Sequence, residues 1–236
     1  MRFETEIVGV TEPRLPGIET AEQLIAYCAR VSNPANQKNH DTAEGLLKYC
    51  AREQHWSIFE MVSMTIGIKM TRDIGRQILR HRSFSFQEFS QRYAAVDPET
   101  MFTNRECRLQ DQKNRQSSNE TEDRDLVLWF TEAQNYIQRI TGEYYERSLE
   151  LGIAKEQARC FLPEGMTMSH MYMAGTLRSW IHYCNLRTGN GTQKEHALVA
   201  DSIQALILSE FPTLELVFAN QLVEPAYRDA WLEQFS

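Results

Sequence analysis

Between Met61 and Met70 the sequence alternates, with Val62, Met64, Ile66, Ile68 and Met70 on one side and Ser63, Thr65, Gly67 and Lys69 on the other. Successive side chains of a strand point to opposite faces, so this pattern predicts a half-buried strand. The period changes directly after Thr71. Counted at about 100° per residue, Arg72, Arg76 and Arg80 share one face of a helix, while Ile74, Ile78 and Leu79 share the apolar side and Arg82 falls among them. A guanidinium aimed at a core keeps its charge and must meet a carboxylate, a fan of carbonyls or a ligand anion. Glu88 and Asp73 are the ion-pair partners the sequence offers. From Ser83 to Phe86 the residues alternate again as an extended segment, which places a candidate site where helix hands over to strand or loop.

The run from Arg80 to Tyr93 holds three arginines, a histidine and a glutamate around interleaved phenylalanines. A solvated surface rarely needs so many anion-binding groups in so short a stretch. Ser90 and Arg92 add a hydroxyl and a fork suited to bidentate phosphate contact. Donors converging this densely point to a polyanionic small molecule, against the plainer reading of structural ion pairs.

Around this centre the chain reads as alternating helices and strands in one domain spanning residues 1–236. Thr20 with Gln23, Asp41 with Glu44, and Thr192 with Glu195 have capping-box spacing and predict helices near 21–31, 42–53 and 193–210. Residues 97–125 are polar and charged, with few groups to anchor them to a core, and read as a mobile surface excursion. A long helix over about 126–151 follows, its apolar stripe formed by Trp129, Ala133, Tyr136, Ile137, Ile140 and Tyr144 and its end marked by Gly152. Packing, within the chain or between subunits, is its expected role. Met166, Met168, Met171 and Met173 make a soft apolar segment read as a strand that fills the core. A helix over 177–187 separates Leu177, Trp180, Ile181 and Cys184 from Arg178, His182 and Asn185. The Gly189-Asn190-Gly191 turn lacks P-loop and dinucleotide glycine spacing and reads as a helix-start loop.

A formal net charge of -7 argues against a general binder of nucleic acid or acidic membranes, because those attract phosphate through a broadly basic surface. Positive charge here is local. Five cysteines without a CxxC pair fit a reduced, cytoplasmic protein better than a disulfide framework or zinc site. The six histidines show no HExxH or HxH spacing, so no metal is expected. Arg2, Glu4 and Glu6 are followed by no apolar run, which leaves no expected secretory or transit signal, and no stretch is long enough to span a bilayer.

The order Arg80-His81-Arg82, seven residues, Ser90, one residue, Arg92 resembles the signature of the flavin-dependent thymidylate synthases. Three more blocks are similar to that family in the same order: His55-Trp56-Ser57-Ile58-Phe59-Glu60, Ala158-Arg159-Cys160-Phe161-Leu162-Pro163, and Leu177 to Arg187. Four ordered blocks of unusual composition are a more specific signal than any one of them. The resemblance implies an α+β fold with a central, mostly antiparallel sheet flanked by helices. It implies flavin contacts from Ser57, Arg80, His81, Arg82, Glu88, Thr176, Leu177, Arg178 and His182. It implies dUMP contacts from Gln77, Arg80, Glu88, Ser90, Gln91, Arg92, Arg159 and Arg187. FAD is then the cofactor, NADPH and methylenetetrahydrofolate the co-substrates, and the assembly a homotetramer with sites shared between subunits.

These residue types suit that chemistry. A reduced isoalloxazine carries negative charge near N1 and the C2 carbonyl, which guanidinium groups such as Arg80, Arg82 and Arg178 stabilise. Arg187 is the expected catalytic group, since an arginine stays protonated at any working pH while it polarises the edge of a uracil. Ser90 has no histidine beside it to act as a base and is assigned to substrate binding. Two rivals stay open at this level. One is a related flavin-dependent nucleotide-modifying enzyme such as a dUMP hydroxymethylase; the other is a non-enzymatic nucleic-acid-binding module using the arginines and phenylalanines near 80–92.

Overall fold

The computed structural model describes residues 3–189 and 191–218. Arg2 and Asn190, which enter two of the sequence readings, lie outside them. In chain order the elements are strand β1 (Glu4–Val10), helices α1 (Ala21–Ala29) and α2 (Ala43–Arg52), a 3₁₀ turn (Trp56–Glu60), strand β2 (Ser63–Thr71), helix α3 (Arg72–Ile78), and strands β3 (Ser85–Glu88), β4 (Arg108–Gln110) and β5 (Ser118–Glu120). Helices α4 (Arg124–Glu150) and α5 (Lys155–Ala158), strand β6 (Met168–Thr176), and helices α6 (Leu177–Arg187) and α7 (Lys194–Glu210) complete them.

The main sheet has the order β1-β2-β6-β3 and every neighbouring pair is antiparallel. The expected α+β architecture is therefore present. Met64, Ile66, Ile68 and Met70 of β2 are fully buried, together with Met171 and Met173 of β6, so alternation identified the core face correctly. Their helical cover comes from α3, α6 and α7, whose Ile74, Ile78, Trp180, Ile181, Val199 and Ile203 join the same cluster. Trp180 also donates its indole N–H to the Met64 carbonyl at 3.2 Å, which ties α6 to the sheet. The β2–β6 register pairs Ser63 with Thr176 and Thr71 with Met168. Each strand runs straight into a helix, so α3 and α6 leave the pair from opposite ends.

Several local signals are overruled by distant partners. The Thr20–Gln23 capping box forms as expected. At α2 the N-cap residue is Thr42 and makes no side-chain cap, because its Oγ1 accepts from Arg30 Nη2 at 2.7 Å instead. At α7 the N-cap is Gln193, again without a side-chain cap, and Glu195 is drawn into ion pairs with Arg105 and Arg108. Helix α3 ends at Ile78, short of Arg82. Arg82 is therefore exposed and not aimed at the core, and the carboxylates offered to it are engaged elsewhere, Glu88 by Arg72 and Arg76 and Asp73 by Arg105.

Residues 97–125 have more anchors than their composition suggests, some apolar or backbone and others charged. Met101 is buried, β4 and β5 pair as a short hairpin, and Arg105 reaches the Gly165 carbonyl and Thr71 Oγ1 at 3.0 and 2.7 Å. Of the two kinds of packing expected for helix α4, the chain itself does not supply the one that would bury the apolar stripe. The helix's inward residues are Gln134, Gly142, Tyr145 and Ser148, and Tyr145 accepts the Val96 N–H at 3.0 Å. The apolar stripe faces outward, with Trp129 64%, Tyr136 61% and Tyr144 58% exposed.

Candidate active site

Helix α6 begins where Thr176, in extended backbone, accepts the Ser179 N–H on its hydroxyl. This cap fixes the first turn, so Leu177, Trp180, Ile181 and Cys184 point into the core and Arg178 and His182 point out. Facing them is the 3₁₀ turn Trp56–Glu60. Between the two lies a cleft of about 560 Å³ lined by Gln54, Trp56, Glu60, Ser83, Arg178, Ser179, Ile181, His182 and Asn185. Arg178 pairs with Glu60 across it. Arg178 and His182, both expected at a flavin, line this space, and Ser57 is exposed on the facing turn. Thr176 acts as the helix cap. Leu177 is fully buried and spends its N–H on the Val62 carbonyl at 2.8 Å, so its side chain belongs to the core.

A second set of groups gathers where the segment after α3 meets the end of α6. Arg187 Nε donates to His81 Nε2 at 2.8 Å. Burial, then the charge of Arg187 and then that of His182, push the His81 imidazole down to about 4, so it is neutral and able to accept that hydrogen bond. The His81 ring meets Tyr183 edge-on at 4.8 Å. Gln77 lies on the same side, hydrogen-bonded to Gln193 at 2.7 Å and to His196 at 3.2 Å.

The remaining predicted residues form two further neighbourhoods. Glu88 is largely buried and accepts from Ser169 at 2.9 Å, with Arg72 and Arg76 at 3.4 and 3.3 Å. Its role within the chain is that of a structural counter-ion, the plainer reading considered for this segment. Arg92 is exposed and stands 3.6 Å from Glu156 of α5, one short turn before Arg159. Gln91 is buried, and its Nε2 has no acceptor among the described residues. Such an orphan costs about 1–3 kcal/mol unless a ligand or another chain supplies the partner. Ser90 is exposed on the same loop. Arg80, Arg82 and Arg159 make no side-chain hydrogen bond or ion pair among the described residues.

Within one chain, then, Gln77, His81 and Arg187 come together, Arg178 and His182 share the cleft, and the contacts of Glu88 and Arg92 are with other residues, Ser169, Arg72 and Arg76 for the first and Glu156 for the second. Sequence reasoning missed Gln54, whose left-handed backbone (φ 59) has no sequence signal. It also missed Gln193 and His196, which resembled an ordinary helix start. Trp56, Ser179 and Asn185 were within reach, since each lies inside or beside a block already singled out.

Comparison with known proteins places these features in context. The family described as "Thymidylate synthase complementing protein" matches residues 16–213. The chain is 51% identical over 212 residues to a probable flavin-dependent thymidylate synthase of Paramecium bursaria Chlorella virus 1, covering 90% of this chain and 97% of that one. It is 49% identical over 209 residues to a flavin-dependent thymidylate synthase of Synechocystis sp., covering 89% and 92%. Among solved structures, a UMP/dUMP methylase, PolB from Streptomyces cacaoi, bound with 5-Br dUMP superposes with a TM-score of 0.74 at 25% identity, covering 92% of this chain and 94% of that one.

Proposed function

Starting from the premise that the chain belongs to the thymidylate synthase complementing protein family, we propose that it is a flavin-dependent thymidylate synthase. It converts dUMP to dTMP by reductive methylation, with FAD as cofactor, methylenetetrahydrofolate as carbon donor and NADPH as the source of reducing equivalents. The observation that carries this reading is the Arg187–His81 contact, which joins the block around residues 80–92 to the block 177–187 and leaves a permanent cation beside a neutral imidazole.

The donors of the α6 cleft fit a flavin. Arg178, His182, Ser179 and Asn185 line one side and the Trp56 ring supplies an apolar wall, a combination suited to a flat ring with a polar edge. Ser57, Arg80, His81, Arg82, Glu88 and Thr176 complete the proposed flavin surroundings, with Leu177 contributing through its backbone. When bound, the flavin supplies the hydride that completes the methyl group. Arg187 holds the uracil edge and stabilises negative charge developing on the base. Gln77, Arg80, Ser90, Gln91, Arg92 and Arg159 supply donors to the nucleotide, and Glu88 keeps Arg72 and Arg76 in place beside them.

The reading extends to assembly. Residues assigned to one nucleotide stand in different neighbourhoods of a single chain, and the outward stripe of α4 offers a surface for another copy. We therefore favour a homotetramer with each site built from several subunits. Among the described residues no helix is long and apolar enough to cross a membrane, and all five cysteines are free, as suits a cytoplasmic enzyme.

The test is the absorbance spectrum of the purified protein, followed by incubation with dUMP, methylenetetrahydrofolate and NADPH. A flavin spectrum and formation of dTMP support the reading. Hydroxymethylated product, or loss of tritium from carbon 5 of labelled dUMP without dTMP, replaces it with the related nucleotide-modifying enzyme. A colourless protein with tight, salt-sensitive RNA binding overturns it.

A further inference from the structure

A chain of hydrogen bonds, buried at its Tyr183–His196 end and part-buried beyond, crosses from α6 through α7 and α3 to a buried carboxylate. Tyr183 Oη is 3.1 Å from His196 Nε2, His196 Nδ1 is 3.2 Å from Gln77 Oε1, and Gln77 Nε2 donates to Gln193 Oε1 at 2.7 Å. Gln193 Nε2 then donates to Glu195 Oε2 at 2.9 Å. Glu195 is 2% exposed, and its charge is matched by Arg105 at 3.2 Å and Arg108 at 2.7 Å.

The direction of the chain is set at its acidic end. Burial opposes ionisation of Glu195, but the hydrogen bonds from Gln193 and Arg108 outweigh it and hold the carboxyl below its usual range. An ionised carboxylate only accepts, so Gln193 must turn its NH₂ toward Glu195 and its carbonyl toward Gln77. Gln77 must then turn its own NH₂ toward Gln193 and its carbonyl toward His196. The His196 ring is neutral and carries a single proton, which this arrangement puts on Nδ1. Reversing both amides would set the Gln193 carbonyl against the Glu195 carboxylate, two acceptors face to face beside a buried charge.

This leaves Gln77 with its carbonyl occupied and one amide hydrogen unspent. We propose that Gln193 and Glu195 are positioning residues that fix Gln77 as a hydrogen-bond donor, and never an acceptor, toward an oxygen of the bound nucleotide. The inference rests on the reading of Gln77 as a dUMP contact. It also gives the polar segment 97–125 a function, since Arg105 and Arg108 belong to it and keep Glu195 charged.

The experiment is a double-mutant cycle on the flavin-loaded full chain, with dUMP affinity measured by calorimetry for Gln77→Ala, Gln193→Ala and the pair. Gln193→Ala is expected to weaken dUMP about tenfold, and the double variant to bind no worse than Gln77→Ala alone, because the Gln193 effect passes through Gln77. A purely structural role for Gln193 predicts losses that multiply, and that result overturns the proposal. So does wild-type affinity in Gln193→Ala while Gln77→Ala binds weakly. Normal binding by Gln77→Ala is a different failure, because it removes Gln77 from the nucleotide site and the positioning role with it. If Gln193→Ala does not fold, Gln193→Met keeps the side-chain length without either hydrogen bond and is read the same way.

Discussion

Arg187 and His81 are 106 residues apart in sequence and share a 2.8 Å hydrogen bond in which the guanidinium Nε–H donates to the imidazole Nε2. Donation to Nε2 requires the ring proton on Nδ1, so the contact fixes the His81 tautomer as well as the pitch of the guanidinium. Arg187 spends only Nε on it, and among the described residues neither Nη group has a hydrogen-bond partner. Because the residue closes α6, its cation also complements the carbonyl end of the helix dipole.

Replacing Arg187 by Ala is expected to leave flavin content near normal, because Arg187 is not among the residues lining the α6 cleft, where Arg178 and His182 stand, and reaches the flavin surroundings only through His81. Turnover should fall by about 10²–10³-fold, the usual loss of one stabiliser of developing negative charge. Single-turnover formation of dTMP from dUMP, normalised to bound flavin, measures this. Unchanged turnover would refute the catalytic role.

Acid should destabilise the fold through His196. Burial, then Arg187 and His81, lower its imidazole from 6.5 to about 3. Above about pH 7 the ring is neutral whether the chain is folded or not. As pH falls through 6.5 the unfolded chain takes up the proton first, so stability drains away between 6.5 and 3, by about 2 kcal/mol at pH 5. His81, lowered to about 4, adds a smaller loss in the same direction because solvent partly reaches it. Urea denaturation midpoints from pH 8 to 4 should show this slope, and His196→Gln should flatten it. An equal slope in the variant would mean that the loss arises elsewhere.

The parts of the fold that were legible in sequence are those decided locally. Alternation in β2 was readable because one of its faces is buried, and α6 because its two faces differ in polarity from end to end. β1 was not, since this edge strand has a mixed burial pattern with no clean period. The capping boxes show the same limit: Thr20 has its partner three residues away, whereas the expected Asp41–Glu44 box does not form because α2 starts one residue later, at N-cap Thr42, with Glu44 paired to Lys48, and Glu195 is claimed by Arg105 and Arg108. Arg82 was misplaced because counting a helical face presumes that the helix continues. The site divides similarly. Arginine density exposed the block 80–92, but the support from Gln193 and His196 joins residues more than a hundred positions apart and leaves no pattern in a single sequence.

Arg92→Ala should separate binding from stability. Its ion pair with Glu156 is 3.6 Å long and solvent-exposed, and such pairs contribute about 0–1 kcal/mol, so the melting temperature should not move. If Arg92 meets the nucleotide phosphate in the assembled enzyme, dUMP binding should weaken by about 2–5 kcal/mol. Calorimetric titration of dUMP decides the matter, and normal affinity would take Arg92 out of the site.

Tyr136→Glu tests the assembly. Trp129, Tyr136, Ile137 and Tyr144 recur along α4 as a single stripe that the chain's own core leaves uncovered, because Gly142, Tyr145 and Ser148 supply its inward face. Large apolar side chains aligned on one helix face mark a contact surface, and an ionised carboxylate placed among them would be desolvated without a partner when two copies meet. The monomer should tolerate the change, since residue 136 is 61% exposed. If the proposed homotetramer forms through this stripe, sedimentation should show it giving way to smaller species at an unchanged melting transition of the monomer fold. Activity should fall with tetramer content if sites are shared between subunits. A variant that stays tetrameric would show that another face joins the subunits, and a dissociated variant with full activity would show that one chain holds a complete site.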